Sequence, residues 1–143
     1  WRPQELSILK TADTDLEHKA FKGGLKTDAG KNRIVPIHSR IFPLVQKLYN
    51  PEHEYLFNDE NGQQGIAMTY DKYRARFQKV CTRLNMNHKP HDTRHTFITL
   101  AKKAGMNEYI LKLIVGHAIQ DITEKVYTHR TMEELQAEIE KIK

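Results

Sequence analysis

Read as hydrophobic and polar positions, the chain opens on a short helical stripe and then switches to residue-by-residue alternation. Leu6, Ile8 and Leu9 follow Pro3, which suits a first helical turn, and predict a brief helix before the polar run from Thr11 to Asp15. From His18 to Leu25 apolar and polar residues alternate loosely. Asp28-Ala29-Gly30 supplies turn chemistry, and Asn32 to Ile37 is β-branched and apolar. This pattern predicts a β-hairpin with its tip near Gly30, its surface studded by Lys22, Lys26, Lys31 and Arg33.

Helical spacing then takes over. Ser39 is placed to cap a helix through Ile41, Leu44, Val45 and Leu48 that ends before Asn50-Pro51. Tyr55-Leu56-Phe57 is a short apolar run, and Asn58 to Gly65 a polar loop. Thr69 can cap the next helix, whose stripe of Tyr73, Phe77, Val80, Cys81 and Leu84 is expected to face the core. Pro90 suits another helix entrance, with Asp92 in its first turn. That helix continues through Phe97, Ile98, Leu100, Ala101 and Ala104, carries Lys102 and Lys103 near its end, and stops at Gly105. Asn107 caps a fifth, running through Ile110, Leu111, Leu113, Ile114 and Val115 to Gly116. Asp121 with Glu124 resembles a capping box and predicts a short helix carrying Tyr127; Thr131 with Glu134 forms a second box. The last helix presents Met132, Leu135, Ile139 and Ile142 on one side, facing either its own core or a partner. One hairpin, one short strand piece and helices elsewhere make a mainly α, α+β domain.

Composition sharpens this picture only in part. The 143 residues suit one domain with a real core, 38% being hydrophobic, and 23 Lys plus Arg against 18 Asp plus Glu give a net charge of +5. That balance modestly favours a polyanionic partner. Lys72, Arg74, Arg76, Lys79 and Arg83 concentrate positive charge on one predicted helix, which can follow a phosphate backbone. The single cysteine, Cys81, rules out an internal disulfide and fits a reducing, cytoplasmic setting. No apolar run approaches a membrane span and no signal peptide is visible, so no membrane partner is expected. The chain opens at Trp1 as though in the middle of a structural unit, and residues 1–143 read as a fragment from which something N-terminal is absent.

His91 and Arg94 lie three residues apart on a predicted helix. A group that moves a proton, beside a guanidinium that holds two anionic oxygens, is half of a site for phosphate chemistry. On their own the two would more often be an ordinary solvated helix face. His91 and His95 form His-Asp-x-x-His, one methylene from a known zinc motif. Arg94 puts a cation on that face and no third ligand is placed, so no metal is expected, and His95 reads as a packing or hydrogen-bonding residue.

Five separated pieces together resemble the tyrosine recombinase, or phage integrase, family, and integrases of mobile elements such as conjugative transposons in particular. They are Arg2-Pro3-Gln4-Glu5-Leu6, Lys26-Thr27 before Arg33-Ile34-Val35-Pro36, His91-Asp92-Thr93-Arg94-His95, Val115-Gly116-His117 and Tyr127-Thr128-His129, in family order. The resemblance implies a helical DNA breaking-rejoining catalytic core with a small β-sheet, lacking its N-terminal DNA-binding domain. It implies that Arg2, Arg94 and His117 hold the scissile phosphate and that Tyr127 is the nucleophile. His91 takes the tyrosine's proton, Lys26 supplies one to the departing 5′ oxygen, and Glu5 orients a cation in support. A 3′-phosphotyrosine intermediate needs no cofactor, metal or small-molecule substrate. The implied partners are double-stranded DNA and other copies of the chain, a tetramer joined through the C-terminal helix, in a bacterial or phage-derived, nucleoid-associated setting. The Gly116-His117 to Tyr127 spacing is one residue longer than the commonest in the family. A type IB topoisomerase-like enzyme, a catalytically silent DNA-binding module and a zinc hydrolase are the alternatives.

Overall fold

The computed structural model describes residues 1–25, 30–58, 66–119 and 130–143. Pro3 opens α1 (Pro3–Ser7), and the Glu5 carboxylate accepts from the Arg2 backbone N–H at 2.9 Å, satisfying a donor at the helix start. A 3-10 turn over Thr11–Asp13 leads into β1 (Thr14–Asp15), which pairs antiparallel with β2 (Ala20–Gly23), itself paired with β3 (Arg33–Pro36). The hairpin register sets Phe21 opposite Val35 and Gly23 opposite Arg33. The expected hairpin is therefore the larger part of a three-stranded sheet. Its third strand escapes a pattern reading because two polar residues are too few to display a period.

Strand alternation also corrects the expectation for Arg33. Ile34 is 44% exposed, whereas Arg33, Val35 and Ile37 are buried. Arg33 thus occupies an inward position of β3 and is no part of the hairpin's charged surface.

The helices that follow are α2 (Phe42–Leu48), α3 (Tyr70–Arg83), α4 (Asp92–Lys103), α5 (Glu108–Val115) and α6 (Met132–Ile139). Ile41 rather than Ser39 stands at the start of α2; the Ser39 backbone N–H and hydroxyl both donate to the Glu140 carboxylate at 2.7 Å, tying α2's approach to the end of α6. Thr69, Asn107 and Thr131 cap α3, α5 and α6, each through a side-chain oxygen accepting a first-turn N–H.

The apolar stripe of α3 is not a core stripe. Only Cys81 is buried on this helix, while Val80 and Leu84 are 53% and 62% exposed. Tyr73 and Phe77 border a cleft with Leu6, Phe57 and Met68, so α3 leans on α1 at the edge of the domain. Periodicity identifies the apolar face of a helix but not what lies against it.

The centre is α5, whose Tyr109, Ile110, Leu111, Ile114 and Val115 are all buried. It packs on β3 and α4, and α6 covers another part of β3. Leu135 and Ile139 of α6 are buried, Met132 and Ile142 pack against the same core, and the Gln136 side chain donates to the Ile37 carbonyl at 3.0 Å. In this chain the terminal stripe faces its own core. None of the helices in the described residues is long and apolar enough to cross a membrane. The polar loop over 59–65, the capping box Asp121 with Glu124 and the helix expected around Tyr127 lie outside the described residues, as does Lys26.

Candidate active site

Three guanidinium groups and one carboxylate meet where α1, β3, α4 and the end of α5 converge. Glu5 is 3% exposed. Its Oε1 lies 3.1 Å from Arg2 Nη1 and 3.3 Å from Arg33 Nη1, and its Oε2 accepts from Arg33 Nη2 at 2.7 Å. The Leu25 backbone N–H also donates to Oε1, at 3.3 Å. Burial opposes ionisation of the Glu5 carboxyl, but the hydrogen bonds from Arg33, Arg2 and Leu25, with the Arg33 charge, outweigh it and hold the group at about 2. Glu5 is a fixed anion whose neighbours are cations.

Arg94 enters from the first turn of α4. His91 is the residue that begins this helix, with φ −70° and ψ −24°, three positions before Arg94. Arg94 is 5% exposed and its Nη2 donates to the Val115 carbonyl, whereas Nη1 is buried and has no hydrogen-bond partner among the described residues. Burial and the charges of Arg2 and Arg33 push Arg94 below the ordinary arginine value, with Glu5 opposing. It stays cationic at any working pH. Among the described side chains, three cations against one carboxylate leave this corner with an excess of two positive charges, and the bare Nη1 is a charged donor with no acceptor there.

His117 is delivered by the end of α5. Gly116 adopts the left-handed conformation with φ +68°, and the His117 N–H returns to the Lys112 carbonyl at 3.0 Å, closing the helix. A side chain at position 116 would set its Cβ 2.9 Å from Gly30 Cα and 3.2 Å from Arg33 Cδ, so the residue must be glycine for the hairpin to approach. Burial, then the charges of Arg94 and Arg2, lower the His117 pKa below the usual value. The imidazole is neutral at pH 7, with one ring N–H to donate.

Of the residues singled out from sequence, the structure thus gathers Arg2, Glu5, Arg94 and His117. His91 is exposed at the start of α4, its ring edge-on to that of His95 at 5.0 Å between centroids. Among the described residues no three His, Cys, Asp or Glu side chains are grouped as metal ligands would be. Lys26 and Tyr127 lie outside the described residues. Arg33 is the participant that a sequence reading places on the surface. The inward register shared with Val35 and Ile37 is the signal that identifies it.

Residues 1–134 match the phage integrase family, which is the family of tyrosine recombinases, and the chain belongs to it. It is 28% identical over 138 residues to the tyrosine recombinase XerA of Saccharolobus solfataricus, covering 96% of this chain and 44% of that protein. Over 86 residues it is 35% identical to the transposase from transposon Tn916 of Enterococcus faecalis, covering 59% of this chain and 20% of the transposase. Among solved structures, the integrase from mycobacterium phage Brujita superposes with a TM-score of 0.76 at 17% identity, over 100% of this chain and 47% of that one. The Tn1549 transposon integrase, in complex with transposon right end DNA, superposes with a TM-score of 0.64 at 25% identity, over 98% of this chain and 54% of that one. The chain spans about half the length of the XerA relatives it matches.

Proposed function

We propose that this chain is the catalytic domain of a site-specific DNA recombinase that cuts and rejoins duplex DNA through a 3′-phosphotyrosine intermediate. The observation that carries the reading is the buried Arg94, its Nη1 without a partner among the described residues, grouped with Arg2 and His117. Such a corner suits an anionic oxygen such as that of a phosphate: guanidinium groups bind it in two-pronged fashion, and preorganised donors gain most as charge builds on the non-bridging oxygens. Tyr127 attacks the phosphorus, its hydroxyl proton passes to His91, the P–O5′ bond breaks, and Lys26 gives a proton to the departing oxygen. The ester at Tyr127 keeps the bond for reversal by a second 5′ hydroxyl. Glu5 holds Arg2 and Arg33 in place.

The exposed Lys79 and Arg83 on α3 support contact with DNA phosphates away from the cut. Assembly as a tetramer on DNA, through the C-terminal segment and in a bacterial cytoplasm, belongs to the same reading. Since the apolar side of α6 lies on its own core, contact with a neighbouring copy uses another face of the helix or requires its release.

Covalent capture tests the proposal. The recombinase carrying this domain is incubated in EDTA with a library of nicked duplexes of randomised sequence, and DNA joined to protein is recovered after denaturation. Wild type is expected to yield a protein–DNA ester and Tyr127→Phe none, with binding of the library unchanged. DNA binding without any adduct from the wild type would favour a silent binding module, and an adduct from Tyr127→Phe would remove the assigned nucleophile.

A further inference from the structure

We propose that His91 and His95 form a two-imidazole site for a divalent transition-metal cation of the zinc and copper class, and that a cation held there arrests cleavage. The arrest rests on the recombinase reading above; the site stands on its own geometry. Both side chains are exposed at the start of α4. His91 begins that helix in a helical conformation, φ −70° and ψ −24°, and its carbonyl accepts from the Arg94 N–H at 3.1 Å, so His91 and His95 stand one turn apart on the same face. Their rings lie 5.0 Å apart between centroids, at 73° to one another. An imidazole nitrogen bonds zinc at about 2.0 Å, which puts each ring centroid about 3.2 Å from the metal, and a near-tetrahedral angle sets two such centroids about 5 Å apart. The observed spacing matches that of a chelating pair.

Arg94, the cation that a sequence reading sets on this face, points elsewhere. It is 5% exposed and its Nη2 donates to the Val115 carbonyl, so the guanidinium lies on the corner side of α4. Asp92 supplies the opposite charge. Its Oδ2 accepts from the Lys89 N–H at 2.8 Å and lies 3.6 Å from His88 Nδ1; that hydrogen bond, with the His88 and His95 imidazoles, holds the carboxyl below the usual range. A fixed carboxylate beside His95 favours a dication there. The other described histidines offer no comparable pair. His38 and His53 engage both ring nitrogens within the fold, and His18 and His88 each face one carboxylate. With two protein ligands, the remaining positions on the cation go to water. A neutral imidazole has one acceptor nitrogen, and a metal bond uses it. His91 so occupied has no lone pair left to take a proton from the attacking hydroxyl. Mg²⁺, which prefers oxygen ligands, leaves the pair unoccupied.

Copper spectroscopy tests the site without DNA. The recombinase carrying this domain receives substoichiometric Cu²⁺, the first-row dication that imidazole sites hold most tightly, and pulsed electron paramagnetic resonance counts the imidazoles bound to it. Wild type is expected to show two. In His91→Gln and His95→Gln, which replace exposed side chains, the count falls to one and the affinity drops about tenfold or more, whereas His18→Gln matches the wild type. A single imidazole in the wild type, or an unchanged affinity in His95→Gln, overturns the site. Competition with Cu²⁺ then gives the dissociation constant for Zn²⁺. In the capture reaction, Zn²⁺ added before the DNA is expected to halve the adduct yield at a concentration within about threefold of that constant, EDTA to restore it, and Mg²⁺ to leave it unchanged. Zn²⁺ held by the pair without loss of adduct overturns the arrest. Absence of an adduct from the wild type in EDTA would instead overturn the recombinase reading, and the site would still be decided by the copper spectrum.

Discussion

Replacing Glu5 by Gln removes the one carboxylate that Arg2 and Arg33 share. The carboxyl ordinarily titrates near 4.5; here burial resists ionisation, and the bonds from Arg33, Arg2 and Leu25 overcome that resistance and hold it at about 2. The gap, at about 1.4 kcal/mol per pH unit, is roughly 3 kcal/mol of native-state stabilisation at neutral pH. Removing one partner of a buried pair costs about 3–5 kcal/mol in general, which agrees in scale. The sign follows from the direction of the pKa. A carboxyl depressed in the folded state contributes fully above pH 4.5, and the contribution disappears as pH falls through 2. Urea unfolding of wild type and Glu5→Gln at a series of pH values measures this directly. The wild type should be more stable by roughly 3 kcal/mol at pH 7, with the difference narrowing below pH 4.5 and closing near pH 2. Because Glu5 is 3% exposed, added salt should reduce the difference little. Two stability curves running parallel from pH 7 to pH 2 would refute the assignment of Glu5 as a buried, permanently ionised partner.

Gly116→Ala should destabilise the domain by about 2–4 kcal/mol in chemical denaturation, since a side chain is strained at φ +68° and its Cβ would crowd the Gly30 backbone and Arg33. A stability within about 0.5 kcal/mol of wild type would show that the hairpin does not pack there. Lys79→Ala/Arg83→Ala, both on the exposed side of α3, should weaken DNA binding uniformly across sequences and lower the slope of log affinity against log salt by about 2. An unchanged slope would take α3 out of the DNA interface.

Much of the local structure was legible because its causes are local. Caps at Thr69, Asn107 and Thr131 follow from side-chain oxygens beside free N–H groups, and the stops at Gly105 and Gly116 from the left-handed conformation that both adopt. Ser39 misleads because a distant carboxylate, Glu140, competes for its hydroxyl. The α3 stripe misleads for a related reason: Val80 and Leu84 keep helical spacing yet remain 53% and 62% exposed.

By itself the sequence determined most of the described helices, the β2–β3 hairpin and the mainly α, α+β class, and it nominated residues suited to phosphate chemistry, since periodicity, caps and side-chain chemistry act over a few residues. Only the tertiary structure decided that Arg2, Glu5, Arg94 and His117 meet, and that Arg33 turns inward to join Glu5, Gly30 and Ile114 across separations of 28, 3 and 81 residues. Those contacts depend on the packing of β3 against α5. Packing is settled by the whole core at once, and no short stretch of chain encodes it.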